Sequence, residues 1–66
     1  MNEPAKIIQW LNDQPKSWMK NCTRTRIILR LGFMPDEIVQ QDPDDPDLAV
    51  EIRAIIEDMM GVSVPV

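Results

Sequence analysis

Leu48, Ile52, Ile55 and Met59 recur at spacings of four, three and four, and Ala49, Ile56 and Met60 flank them. At about 100° per residue these seven side chains fall within roughly 140° of arc, one side of a helix. Glu51, Arg53, Glu57 and Asp58 lie outside that arc. The start is equally well marked. Asp45 suits the N-cap, Pro46 the first helical position, where no amide hydrogen is needed, and Asp47 the positive end of the helix dipole. Gly61 follows the last periodic residue and can take the left-handed conformation that closes helices. The spacing therefore predicts an amphipathic helix from about Pro46 to Met60, with an apolar side that needs cover.

Other prolines divide the rest of the chain in the same way. Glu3-Pro4 opens a segment to about Asn12, with Pro4, Ile7, Ile8 and Leu11 along one side. Gln14-Pro15 opens a longer segment towards Leu31, with Gly32 as its stop, and Met34-Pro35-Asp36-Glu37 opens a short one through Gln40. The expected fold is all-α, a small bundle of three to four short helices forming a single domain over residues 1–61. Residues 62–66 form a short apolar tail. Its valines alternate at 62, 64 and 66 as in an added strand or a groove-filling arm, and a frayed end is the simpler expectation.

Residues 23–31 admit two periods. As a helix, Trp18, Cys22, Thr25, Leu29 and Phe33 share a face; as a strand, Thr23, Thr25, Ile27, Leu29 and Leu31 alternate with Arg24, Arg26, Ile28 and Arg30. A lone strand must find its partner in a second chain. That alternative resembles the ribbon-helix-helix repressors, whose paired strands enter the DNA major groove. Helix is preferred, because Pro15 supplies a start, Gly32 a stop, and no second strand is evident.

A chain of 66 residues buries only roughly 60% of the surface its unfolded form exposes. Small domains of this size are commonly reinforced by disulfides, a metal or a partner subunit. With Cys22 as the single cysteine and no histidine, an intrachain disulfide is impossible and the usual zinc ligand sets are missing. No metal or cofactor is expected, and association, including a homodimer, is the remaining source of stability. Met1-Asn2-Glu3-Pro4 lacks the basic and apolar regions of a secretion signal. No apolar run approaches the about 20 residues of a membrane span, so a soluble, cytoplasmic protein with no membrane partner is expected.

The net charge of −4 conceals an asymmetry. Residues 1–33 hold six cations against Glu3 and Asp13, a balance of +4, whereas residues 34–66 hold Arg53 against nine carboxylates, a balance of −8. Lys16, Lys20 and Arg24, spaced four and four, form one stripe on a helix. Such a stripe can meet phosphates, face water, or dock the acidic half. The acidic run from Asp42 to Asp47 does not fit a calcium loop, because the sixth and twelfth positions counted from Asp42 are Asp47 and Arg53.

Catalysis is not expected. Histidine, the commonest general acid-base residue, is absent, as is tyrosine, and Cys22 has no histidine to activate it, so a structural thiol is expected.

Leu31-Gly32-Phe33 followed by Asp36-Glu37-Ile38 reads as a helix, a glycine turn and a second helix. It resembles the Leu-Gly-Phe turn of MerR-type regulators and, more faintly, the Met-Gly-Phe loop of ubiquitin-associated domains. Ile28 stands where a helix-turn-helix has a small residue, and Pro35 falls inside the would-be reading helix, so membership of neither family follows.

The expected function is a non-enzymatic protein-binding regulator, inhibitor or adaptor acting stoichiometrically, a style common among phage and mobile-element proteins. The candidate partner-binding residues are Trp10, Trp18, Lys16, Lys20, Arg24, Leu48, Ile52, Ile55 and Met59. Core packing is the first expectation for Trp18 and Met59, and exposure of Trp10 or Met60 would mark the place to look for an interface. The alternative is a DNA-binding transcriptional regulator that uses the basic N-terminal half.

Overall fold

The computed structural model describes residues 1–66 of a single chain. Four helices follow one another, α1 (Glu3–Asn12), α2 (Trp18–Leu31), α3 (Pro35–Gln41) and α4 (Pro46–Met60), and there is no strand. The fold is thus all-helical, and the strand alternative for residues 23–31 is replaced by the second half of α2. Thr23 and Ile27, one turn apart, are both buried in the helical form. The Thr23 hydroxyl donates to the Met19 carbonyl at 2.8 Å, which satisfies the polar group of that stripe.

The capping chemistry explains the boundaries. Asp45 accepts from the Leu48 amide at 3.1 Å, and Gly61 closes α4 at φ +67° with its amide bonded to the Glu57 carbonyl. Gly32 closes α2 at φ +81° in the same way, bonded to Ile28. The start of α2 departs from the proline expectation. Ser17 is the N-cap, accepting from the Lys20 amide at 3.1 Å, while Pro15 and Lys16 remain in the connection. A serine hydroxyl satisfies an otherwise orphaned amide, something a proline cannot do, and the cap therefore sets the boundary.

Helix α4 packs against both α1 and α2, and α3 rests on α1 with a smaller contact to α2. The interior is built from Ile7, Ile8 and Leu11 of α1, Ile27 of α2, Ile38 of α3, and Ala49, Ile52, Ile55 and Ile56 of α4. Each fully buried isoleucine contributes about 1.5–3 kcal/mol relative to exposure.

The tail is not frayed. Val64 is buried in the same cluster, its amide donates to Glu57 Oε2 at 2.9 Å, and its carbonyl accepts from Arg53 Nη1 at 2.9 Å. Arg53 also bonds to the Val66 carbonyl and to Glu3 Oε1, the latter at 2.8 Å. The tail thus lies against its own chain as an irregular arm. No helix is long and apolar enough to cross a membrane.

Candidate functional site

Helix α2 has two apolar faces. Thr23 and Ile27 point inward, with Leu31 partly covered beside them. Trp18, Cys22, Thr25 and Leu29 lie on the opposite side, roughly 170° around the axis at about 100° per residue. Nothing in the chain closes over that side: Trp18 is 77% exposed and Leu29 78%. Together with Asn21, Arg26 and Met59 of α4, these side chains line an open groove of about 530 Å³. A smaller depression of about 240 Å³ adjoins it between α2 and α4, bordered by Arg26, Arg30, Ile55, Asp58 and Met59.

The expectation that Trp18 packs in the core is corrected. As the first residue of α2, on the side of the helix away from Thr23 and Ile27, it keeps its ring outside the bundle. Trp10 is the tryptophan that lies partly buried against the core, and Met60 is likewise partly buried rather than exposed. Met59 is partly buried and joins the edge of the groove.

The remaining candidates are distributed differently from a single patch. Ile52 is fully buried and Ile55 is 8% exposed, so they belong to the shared interior, and Leu48 packs partly against the same cluster. The basic stripe is largely engaged inside the molecule. Lys20 Nζ donates to the carbonyls of Asn12 at 2.7 Å and Gln14 at 2.8 Å, and Arg24 bonds Asn12 Oδ1 and, at 3.3 Å, Asp36. Lys16 is exposed and stands apart from these bonds. They place cations at the negative end of α1, where the helix dipole favours them.

Sequence reasoning missed Leu29 and Arg26 as surface determinants. The signal was present in the shared face of Trp18, Cys22, Thr25 and Leu29, but periodicity alone does not say which of two apolar faces turns inward. No grouping of three or more cysteine or carboxylate side chains is placed to hold a metal ion. Cys22 is half-buried in the groove wall, and Arg26 is the one charged side chain that shares that wall. What the arrangement offers chemically is apolar area, one thiol, one guanidinium and short polar side chains, a composition suited to contact with another macromolecule.

Comparisons of the chain with protein-family models, with curated proteins and with solved structures find no match in any of the three.

Proposed function

We propose that this chain is a non-enzymatic binding protein that acts stoichiometrically, holding another protein against the outward face of α2. The observation that carries this is the exposure of Trp18 and Leu29, at 77% and 78%, along one groove. Tryptophan supplies large, stiff contact area and dominates interfaces where it occurs, and an exposed apolar patch framed by polar groups marks a contact site. Leu48, Ile52 and Ile55 then act indirectly, by fixing α4 as the platform for α2, while Met59 contributes at the edge of the groove.

A protein partner is favoured over duplex DNA by the distribution of charge. Lys20 and Arg24 already bond to Asn12, Gln14 and Asp36, so a phosphate backbone would have to draw them away from those groups. The net charge of −4 adds a long-range repulsion.

The test is affinity capture from the source cells with the tagged chain, beside a Leu29→Lys variant and a Lys16→Glu variant, which reverses the one cation of the stripe that is not engaged within the chain. Proteins held by the wild type and lost from Leu29→Lys are the expected result. Equal recovery by both would remove α2's outward face as the docking surface.

A further inference from the structure

We propose that the segment docking on the open face of α2 is acidic and amphipathic: apolar side chains of another protein cover Trp18 and Leu29, and a carboxylate beside them pairs with Arg26. This rests on the docking role proposed for that face and states the chemistry of the partner that fills it. What selects the partner is charge. Helix α2 holds Lys20, Arg24, Arg26 and Arg30 and no carboxylate. Three of these cations are engaged within the chain, Lys20 with the carbonyls of Asn12 and Gln14, Arg24 with Asn12 and Asp36, and Arg30 with Glu51 at 3.6 Å. Arg26 enters none of the chain's four ion pairs, and it is the cation that lines the groove. No carboxylate lines that groove. Asp58 borders the adjoining depression together with Arg26 and Arg30 and forms an ion pair with neither.

A partner that covers Trp18 and Leu29 also strips water from the Arg26 guanidinium on the same wall. A charge that loses its water without gaining a counter-charge is costly, so a purely apolar segment is penalised and a basic one more so. A carboxylate removes the penalty, because guanidinium and carboxylate match in a two-pronged, charge-assisted hydrogen bond. Arg30, one turn further on and about 6 Å along the axis, offers a second position for an acid. Its pair with Glu51 is exposed at both ends, the kind of contact weak enough to yield to a better-placed carboxylate. From Trp18 to Leu29 is about 16 Å along α2, a distance that three turns of a docking helix match.

The net charge of −4 does not oppose such a segment. Residues 42–47 carry four carboxylates ahead of α4, and the start of that helix lies about 20 Å along its axis from Met59 at the groove. That is roughly twice the screening length of about 8–10 Å in physiological salt. A short segment in the groove therefore meets Arg26 first, whereas a duplex running past the 29 Å length of the molecule meets the acidic half as well.

The probe is a phage-displayed library of random peptides about 12 residues long, panned separately on the wild-type chain, on Arg26→Glu and on Trp18→Ala. Selected peptides are then synthesised and their affinities measured by fluorescence anisotropy. Peptides selected by the wild type should be enriched in Asp and Glu beside Leu, Phe or Trp. They should bind each variant at least about tenfold more weakly, and bind the wild type less tightly as salt rises from about 0.05 to 0.5 M. Arg26→Glu panned by itself should select Lys and Arg where the wild type selects acids, a reversal that lost structure cannot produce. If Arg26→Glu fails to fold by circular dichroism, Arg26→Gln removes the charge alone and should abolish the acidic preference.

Selected peptides without an excess of acids, or bound by Arg26→Glu as tightly as by the wild type, overturn the inference. If those same peptides are still lost from Trp18→Ala, the docking role of the α2 face stands and only the chemistry of its partner fails. Peptides held equally by the wild type and Trp18→Ala remove the docking role as well. A wild type that selects no peptide overturns the inference, as does a DNA duplex of about 20 base pairs that binds the wild type and is lost from Arg26→Glu, which would assign Arg26 to phosphate.

Discussion

The Lys20 ammonium on α2 donates to the carbonyl of Asn12, the last residue of α1, at 2.7 Å, so a cation from one helix closes the end of another. The same ammonium reaches the Gln14 carbonyl at 2.8 Å, and no basic residue lies in the last turn of α1 itself. Helix ends leave carbonyls without intrahelical partners, and a cation there serves both the hydrogen bonds and the dipole. Lys20 is thereby a joint between elements.

Replacing Lys20 with Met keeps most of the apolar stem and removes the donors. It is expected to lower stability by about 1 kcal/mol, the scale of a partly solvent-screened charged hydrogen bond. Urea denaturation followed by circular dichroism measures this. The α2 face, which Lys20 does not line, should retain the docking proposed for it. A variant as stable as the wild type would show that the joint contributes nothing.

Ile52 and Leu29 are both large aliphatic residues on helices, and the structure separates them completely. Ile52→Ala empties a fully buried site and should cost about 2–5 kcal/mol. That is a large share of the roughly 3–10 kcal/mol available to a chain this size. Leu29→Ala removes a side chain that is 78% exposed and should change fold stability by no more than about 0.5 kcal/mol at concentrations where the chain is monomeric. Thermal unfolding of the two variants side by side tests the contrast, and a larger loss for Leu29 would contradict its place on the open face of α2.

The arm from Val62 to Val66 is held by Val64 in the core and by the Arg53 guanidinium, which bridges the arm to Glu3 of α1. Val64→Ala is expected to destabilise by about 1–3 kcal/mol through lost burial. Arg53→Met should release the arm, seen as faster amide exchange at Val64 with the helices still protected. An arm whose exchange is already as fast as free peptide in the wild type would contradict its docking.

Much of the architecture is legible in the sequence because it depends on local rules. Pro46 and Asp45 start α4, Gly61 ends it, and the 48, 52, 55, 59 spacing fixes which side of it turns inward. These features act within one or two turns and require no knowledge of the rest of the chain. Residues 23–31 fit two periods, the flanking Pro15 and Gly32 already favour helix, and in the folded chain Thr23 and Ile27 lie buried on one face of α2.

The open face of α2 depended on choices that local rules do not make. Helix α2 has apolar residues on opposite sides, and the chain alone does not record whether Trp18 or Ile27 faces α4. Tertiary structure decided it, because α4 ends at Met60 and can cover one side of α2 while closing over Ile7, Ile8 and Leu11 with its own. The same is true of charge. The sequence shows three cations in a stripe, and only the approach of α1 and α3 shows that Lys20 and Arg24 are engaged within the molecule. Periodicity fixes what each helix is, whereas the finite area its neighbours can cover fixes which of its faces remains open.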